Sequence, residues 1–147
     1  MKALTICQPY AELIARGKKR VENREWMTGY RGPLYIHAGK SRDWLNADDD
    51  GKEYGIPVSA MAFGAVIAIA TLVDCVHIDR VDQPHVAAKY PWLKEHEHTE
   101  GTWCWILDKV SPLGPWPWRG AQGLFDIDDE ELNRVANREL AIAEPAK

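Results

Sequence analysis

Short stretches of apolar residues recur along the chain, and their patterns predict the strands of a sheet. Residues 1–7 and 34–38 have the patterns of two short strands, the second with a buried centre. Residues 63–76 are nearly continuous in apolar and β-branched side chains, which is typical of a fully buried strand in the middle of a sheet. In residues 101–110, tryptophan and leucine alternate with cysteine and isoleucine, which indicates a strand covered on both faces.

The more polar stretches predict a further strand, turns and loops. Residues 20–26 are predicted to be a strand that leads into a turn at residues 27–33, and residues 123–127 return to strand. Residues 111–123 are rich in proline and tryptophan, and we expect no central strand there, because proline has no backbone N–H to donate. The acidic, glycine-bearing residues 43–57 are predicted to be a mobile insertion or the tail of a short helix.

Helix signals are few and short. A proline suits the first turn of a helix over residues 10–16, and Gly17 can take the left-handed conformation that ends many helices. Residues 86–90 predict a helical turn, and Asp128 is expected to cap a final amphipathic helix over residues 129–143. Four apolar residues of that helix share one face: Leu132, Val135, Ala136 and Leu140. Together these elements predict an α+β domain, a mixed β-barrel of five to six strands with short flanking helices.

Composition narrows the class of protein. The 147 residues, 46% of them apolar, suffice for one domain with its own core. Cys7, Cys75 and Cys104 follow no Cys-x-x-Cys spacing, so we expect reduced thiols rather than a zinc site or a disulfide framework. Residues 1–20 lack the apolar part of a signal peptide, and the longest apolar run, residues 61–73, is too short to span a bilayer. We therefore expect a soluble, cytoplasmic protein with no membrane contact.

Positive charge is concentrated in one part of an otherwise acidic chain. The net charge is −4, yet residues 16–42 contain eight basic and two acidic residues, a net charge of +6. The rest of the chain sums to −10. Uneven charge of this kind is typical of a surface that meets a phosphate or a polyanion, although a solvated charged face has the same composition.

Three details of this basic window favour a cleft over a solvated face. Lys19, Glu22 and Arg24 follow a Gly-x-Lys-x-x-Glu-x-Arg spacing, and a period of two places Glu22 and Arg24 on one side of an extended segment. Aromatic residues that can stack on bases interleave the charges: Trp26, Tyr30 and Tyr35. Turn-forming residues divide the window into short pieces: Gly29, Gly32 and Pro33.

The sequence has no spacing that predicts a metal or cofactor site. The His-Glu-His run at residues 96–98 lacks the His-Glu-x-x-His spacing of zinc proteases, and we expect an exposed polar loop there. The three aspartates at residues 48–50 are not followed by the remaining ligands of a calcium loop. We therefore expect neither a metal nor a cofactor.

Several segments, taken in order, resemble those of one known family. They are LTICQPYAELIARGKKRVENREW, YRGPLYIHA, FGAVIAIATLVDC, WCWIL and RGAQGLFDI. In order and spacing they are similar to the ASCH domain, the activating-signal-cointegrator-homology branch of the PUA-like superfamily. We expect this domain to span residues 1–128, with residues 129–147 as a helix and tail that pack on it or trail from it. The resemblance implies a PUA-like pseudobarrel with a basic cleft, associated with RNA or DNA binding.

The first functional hypothesis is a module that binds RNA, single-stranded DNA or a nucleotide in that cleft. Phosphates would contact Lys18, Lys19, Arg20, Arg31 and Arg119, with an affinity that falls as salt rises. A base would stack on Trp26, Tyr30 or Tyr35. Glu22 and Arg24 would read a base edge or a ribose, or pair with each other. The expected binding residues are Gln8, Gly17, Lys18, Lys19, Arg20, Arg24, Trp26, Tyr30, Arg31, His37 and Arg119.

The second hypothesis is an enzyme acting on RNA, as a ribonuclease, or on a modified nucleoside. Some small ASCH proteins resemble amidohydrolases that remove the acetyl group of acetylcytidine with a lysine, a threonine and a glutamate from a later helix. Lys19 matches the lysine, and Glu22 stands at the threonine position. Glu95 and Glu97 are candidates for the later glutamate. In a partly dry cleft beside two arginines the pKa of Lys19 would fall, and Glu22 would shuttle a proton.

A third hypothesis is a protein-interaction role for the Pro-Trp-Pro-Trp segment at residues 115–118. Exposed tryptophans are common at such interfaces. Trp116 and Trp118 would equally close the end of the barrel, and core closure is the role we expect of them.

Overall fold

The computed structural model of the protein describes residues 1–45 and 53–145. In chain order its strands and helices are β1 (Lys2–Ile6), α1 (Tyr10–Ala15), β2 (Val21–Arg24), β3 (Gly32–Ala38), β4 (Ala65–His77), α2 (Pro84–Lys89), β5 (Trp103–Pro117), β6 (Leu124–Asp126) and α3 (Glu130–Ile142). Two 3₁₀ turns, Val58–Ala60 and Ile78–Arg80, flank β4. Among the described residues, none of the helices is long and apolar enough to cross a membrane.

The six strands form one mixed sheet in the order β2-β5-β4-β3-β1-β6. β1 and β3 run parallel, and the other neighbouring pairs are antiparallel. The apolar β4 lies near the middle, with residues 65–70 all buried, as its unbroken hydrophobic pattern predicts. The sheet twists and curls into half a barrel, so the predicted α+β class with a six-stranded, barrel-like sheet is confirmed.

β5 extends into the segment at residues 111–123, for which no central strand is predicted, and it continues through two prolines and ends at a third, Pro117. β2 pairs only with residues 103–106 of β5. Beyond that point β4 is the one described strand that pairs with β5, so the prolines lie on a sheet edge, where their missing donors cost little. Register shifts at three places between β4 and β5 accommodate the irregular backbone.

Alternation along β1 and β3 divides the core between the two faces of the sheet. Leu4 and Ile36 belong to the cluster that packs against α1, together with Ile14. Their neighbours Ala3 and Tyr35 belong to the cluster that packs against α3. A third cluster joins α2 to β2 and β5. Helices α1 and α3 therefore cover opposite faces of the sheet. The candidate site lies at the ends of the strands between them.

The turn after α1 directs a lysine into the interior. Gly17 has a φ of +75°, which is the left-handed conformation predicted for this helix end. The backbone N–H groups of Lys18 and Lys19 both donate to the carbonyl of Leu13 and so close a tight turn before β2. As a result Lys19 is only 3% exposed, whereas Lys18 is exposed.

The last helix begins one residue later than predicted. Asp129, rather than Asp128, caps α3, and its carboxylate accepts a hydrogen bond from the Leu132 N–H at 2.8 Å. The four apolar residues predicted for one face all pack in the same core cluster: Leu132, Val135, Ala136 and Leu140. Trp116 and Trp118 are half-buried against that cluster, in line with core closure. The division into residues 1–128 and 129–147 stays a prediction.

Two of the remaining sequence predictions concern the acidic segment and the cysteines. Residues 46–52 of the segment at 43–57, with the three aspartates, lie outside the described residues. Ile56, near its end, is fully buried. Cys7, Cys75 and Cys104 are all free thiols, and Cys104 is buried.

Candidate functional site

A cavity of about 510 Å³ lies at the carboxyl ends of the parallel strands β1 and β3, beside β2. We call it the Lys19 pocket. Its volume falls in the range of about 300–1,000 Å³ that is usual for small-molecule sites. Residues from separate parts of the chain line it: Thr5, Ile6, Cys7, Tyr10, Lys19, Glu22, Asn23, Arg24, Gly39, Lys40, Ser41, Trp44, His98 and Glu100.

Three charged side chains form a row along one wall of the Lys19 pocket. Lys19 Nζ donates to the carbonyl of Val21 and lies 3.4 Å from Glu22 Oε1. The other oxygen of Glu22 lies 2.9 Å from Arg24 Nη2, which also donates to the carbonyl of Thr5 at 2.8 Å. Glu22 and Arg24 thus share one side of β2, as the period of two predicted. We call Lys19, Glu22 and Arg24 the ion row.

Burial sets the proton affinity within the ion row. Loss of water lowers the pKa of Lys19, the Glu22 carboxylate raises it, and the positive charge of Arg24 adds to the lowering. The lowering of the Lys19 pKa prevails, because Lys19 is almost fully buried. The row can therefore present amine and guanidinium donors and a carboxylate acceptor to a polar ligand, and it can hold or release a proton at Lys19 Nζ.

Aromatic side chains form another wall. The rings of Tyr10 and Trp44 meet edge to face, with centres 6.2 Å apart. Tyr54 approaches Tyr10 at 6.4 Å and extends this group towards His98 at 6.0 Å. Burial raises the pKa of Tyr54 to about 12, so its hydroxyl stays protonated at neutral pH. Trp44 is 65% exposed, which leaves much of its indole accessible to a planar ligand.

The expectation of an exposed loop at residues 96–98 is wrong for His98, which is 5% exposed and lines the Lys19 pocket. The fully buried Leu93 anchors the segment, and Asn23 Nδ2 in β2 donates to the His98 carbonyl at 2.8 Å. Among the described residues His98 Nε2 has no hydrogen-bond partner, and Glu97 Oε1 lies 3.7 Å away. His98 therefore contributes to the pocket wall, while its Nε2 atom itself is buried.

His96 ties the same segment to the start of β2. Its Nε2 accepts a hydrogen bond from the backbone N–H of Arg20 at 3.1 Å, and the Arg20 guanidinium lies over the Trp92 ring at 3.7 Å. Burial, with the positive charges of His98, Arg20 and Lys19, lowers the pKa of His96 to about 4. In the described part of the chain, no group of three metal-binding side chains is arranged as a metal site.

Two smaller hollows share lining residues with the Lys19 pocket. One, of about 310 Å³, shares Thr5, Gly39 and Lys40, and we call it the Arg119 hollow. The rest of its lining is His37, Gly64, Arg119 and Gly120. The other, of about 430 Å³, shares Asn23 and Arg24 and is completed by Glu25, Trp26, Gly101 and Thr102. The three cavities form a chain of adjoining spaces.

The structure brings five of the eleven predicted binding residues to these spaces: Lys19, Arg24, Trp26, His37 and Arg119. The other six lie elsewhere: Gln8, Gly17, Lys18, Arg20, Tyr30 and Arg31. Gln8 is fully buried and donates to the carbonyl of Ala62, so its role is internal. The basic window therefore divides among several surfaces of the domain.

Other predicted roles are limited by internal contacts. Arg31 lies 3.6 Å from Asp74 on a different surface. Tyr35 is fully buried against α3, so stacking of a base on this ring is excluded. Neither Glu95 nor Glu97 lines the Lys19 pocket, whereas Glu100 does.

Sequence reasoning missed most of the pocket lining, and the missed residues include Tyr10, Lys40, Trp44, His98 and Glu100. Two of them carry a local signal, since Tyr10 follows the Gln-Pro pair and Lys40 belongs to the basic window. Trp44 and His98 lie in segments without periodic structure, and only the folded chain brings them to the pocket.

The curled mixed sheet, with a polar pocket at the ends of its parallel strands, defines a domain of the PUA-like class. The family model of the ASCH domain matches residues 4–115 of the sequence. The chain therefore belongs to the ASCH domain family. The resemblance seen in the sequence is thereby confirmed.

Relatives and solved structures agree with this family. Activating signal cointegrator 1 of Homo sapiens is 54% identical over 35 residues, which are 24% of this chain and 6% of the human protein. The Mus musculus protein of the same name is 33% identical over 82 residues, 50% of this chain and 14% of the mouse protein. This chain therefore matches only a small part of the length of these relatives.

The same architecture occurs in crystal structures of an ASCH protein from Zymomonas mobilis. One superposes with a TM-score of 0.51 at 16% identity and covers 97% of this chain and 95% of that chain. A mutant of the same protein gives a TM-score of 0.53 at 15% identity and covers 97% of this chain and 98% of that chain. At these identities the likeness shows the shared fold.

Proposed function

We propose that this chain binds single-stranded RNA or DNA, or a nucleotide, and takes one base into the Lys19 pocket. The observation that carries the proposal is the ion row on one pocket wall together with the exposed ring of Trp44. The ASCH family is generally associated with RNA binding, which supports the same class of ligand.

The chemistry of the walls suits a base. A nucleobase has a flat face and an edge that carries both donors and acceptors. Its face would stack on Trp44, and its edge would meet the Glu22 carboxylate and the donors of Lys19 and Arg24.

The charge of the whole chain suits a local site better than general polyanion binding. With a net charge of −4, most of the surface repels nucleic acid, so contacts depend on the few cations near the pocket. The proposal needs neither a metal nor a cofactor, and it includes the predicted cytoplasmic location and residues 1–128 as the binding unit.

Replacing Trp44 tests the proposal without disturbing the core, because most of this side chain is exposed. Stacking contributes about 1–3 kcal/mol per base, so Trp44→Ala should weaken binding of short single-stranded RNA or DNA by about 5- to 150-fold. Fluorescence anisotropy with labelled oligonucleotides at low salt measures this. Ile142→Ala is the matched control, since it removes an apolar side chain that is 69% exposed on α3, and it should bind as the wild type does.

Two results would contradict the proposal. The wild-type protein could bind no RNA or DNA oligonucleotide at low salt, or Trp44→Ala could bind as tightly as Ile142→Ala. Circular dichroism of all three proteins keeps a loss of folding separate from a loss of binding.

A second candidate function, hydrolysis of RNA or of an acylated nucleoside, is favoured by one observation. Lys19, whose pKa burial lowers, lies 3.4 Å from the Glu22 carboxylate in a cavity large enough for a nucleoside. Incubation with acetylcytidine and with structured RNA should then yield product, and Lys19→Gln and Glu22→Gln should abolish it. Absence of turnover by folded wild-type protein on both substrates rules this candidate out.

A further inference from the structure

We propose that the Arg119 hollow binds the phosphate of the same nucleotide whose base enters the Lys19 pocket. This inference rests on the proposed function and adds a second subsite with a ligand chemistry of its own. The chemistry is that of a phosphate joined to a nucleoside, either in a free mononucleotide or within a strand.

The distribution of charge separates the two subsites. In the Lys19 pocket the two cations Lys19 and Arg24 share the carboxylate of Glu22, so their charge is already partly compensated. The lining of the Arg119 hollow contains two cations, Lys40 and Arg119, and no acidic residue. Across residues 1–45 and 53–145 neither of these two side chains forms an ion pair, and both residues are exposed. An anion therefore gains more electrostatic stabilisation in the Arg119 hollow than in the Lys19 pocket.

A chain of hydrogen bonds positions the backbone that carries Arg119. His37, which is 1% exposed, lies 2.7 Å through Nε2 from the carbonyl of Trp118 and 3.1 Å through Nδ1 from Thr5 Oγ1. Because a carbonyl can only accept, Nε2 carries a proton and donates to it, and Nδ1 shares a hydrogen bond with the Thr5 hydroxyl. The imidazole thus has both nitrogens satisfied and fastens the segment after β5 against the ends of β1 and β3.

Glycine at position 120 keeps this segment close to the sheet. A Cβ there would lie 2.8 Å from Thr5 Oγ1 and 2.9 Å from His37 Cε1, closer than a side-chain carbon can approach. The residue next to Arg119 therefore rests directly on the Thr5 and His37 pair. This contact makes the hollow a shaped wall rather than a loose surface loop.

Lys40 is held on the boundary between the two cavities. Its stem lies over Gly64, where a Cβ would meet Lys40 Cε at 2.9 Å, and Gly64 has a φ of +66° that favours glycine. Lys40 lines both the Lys19 pocket and the Arg119 hollow, as do Thr5 and Gly39. A base in the pocket and its phosphate in the hollow are therefore adjacent, and one nucleotide spans both.

The experiment compares ligands that differ only in the phosphate. Isothermal titration calorimetry with nucleosides, with their 5′- and 3′-monophosphates and with short single-stranded oligonucleotides should show that wild-type protein prefers the phosphate-bearing ligands by about tenfold or more. The double variant Lys40→Gln/Arg119→Gln should lose most of this preference. The single variant Arg119→Gln, at a residue that lines the hollow and not the Lys19 pocket, should lose part of the preference and keep its affinity for the nucleoside. The matched control Lys94→Gln/Arg138→Gln removes two exposed cations far from the hollow in sequence and should keep the preference.

Each outcome either identifies the source of the phosphate or overturns the inference. A preference seen with a monophosphate assigns the hollow to free nucleotides, and one confined to oligonucleotides assigns it to a strand; both support the inference. Equal binding of nucleoside and monophosphate together with equal binding of oligonucleotide by both double variants overturns it and leaves the base pocket intact. If wild-type protein binds none of these ligands, the proposed function itself fails.

Discussion

The ion row places two cations and one carboxylate along one wall, where Lys19 and Glu22 are almost fully buried and Arg24 is partly exposed. Glu22 is 7% exposed, and its two oxygens face different cations. The pairing of Glu22 with Arg24 could be predicted from the sequence, since residues two apart in a strand share a side. The burial of Lys19 could not, because it depends on the turn after α1 and on the distant segments that close over it.

The variant Lys19→Met tests how much the ion row contributes to the free energy of unfolding. Removing one member of a buried ion pair leaves a carboxylate with incomplete compensation, which typically costs about 3–5 kcal/mol. Because Arg24 still pairs with Glu22, we expect a loss near the lower limit, about 3 kcal/mol in the free energy of unfolding measured with urea. The double variant Lys19→Met/Glu22→Gln should recover part of this loss. A single variant as stable as the wild type would mean that the pair contributes nothing to the fold.

The lowered pKa of His96 predicts that the stability of the folded protein depends on pH. Its pKa in the folded protein is about 4, below the ordinary 6.5, so between these values the unfolded chain binds a proton that the folded protein does not. Stability should therefore fall as the pH drops from 6.5 to 4, and this group adds no further loss below that. With allowance for partial exposure, its share is about 2 kcal/mol.

The measurement for His96 compares urea unfolding at neutral pH and near pH 4 for the wild type and for His96→Gln. Glutamine keeps an acceptor for the backbone N–H of Arg20 but does not titrate in this range. The variant should lose less stability on acidification than the wild type does. An identical loss in both proteins would assign the acid sensitivity to other groups.

At the scale of elements, hydrophobic periodicity predicted where strands lie better than where they end. The central strand β4 was found because its apolar run is continuous, which a buried position requires. The predicted strand ends at residue 110, earlier than β5 does, because the prolines that follow argue against a central strand. Local sequence does not show that β2 pairs with only four residues of β5. Sheet order decides which part of a strand is an edge.

The candidate site is built from loops between these elements, and this limits what the sequence reveals. Trp44 and His98 belong to segments without periodic structure, more than 50 residues apart, and meet only because α1, β2 and β3 converge. The basic window includes three cations that line the Lys19 pocket: Lys19, Arg24 and Lys40. However, it did not show which cations remain uncompensated, since Arg31 has a partner at Asp74 that the pattern does not predict.

At the scale of the whole molecule, folding divides the concentrated positive charge of the sequence. The basic window carries +6 within a chain of net −4, which suggests one basic surface. In the structure Arg16 pairs with Glu12, Arg42 lies over Phe63, and Arg20 lies over Trp92. Few cations are left for a ligand, and they flank the cavities rather than covering a face.

This division leads to a prediction for the salt dependence of binding. If Lys40 and Arg119 are the side chains that meet phosphates, about two counterions are released, and the logarithm of affinity should fall with that of salt with a slope of about −1.4. Affinity for a single-stranded oligonucleotide should then drop about sevenfold between 50 and 200 mM salt, measured by anisotropy. Lys40→Gln/Arg119→Gln should flatten the dependence. A slope steeper than about −4 would instead require most cations of the basic window to contact phosphates. The sequence alone suggests such a surface, but in the structure several of these cations already have partners within the protein.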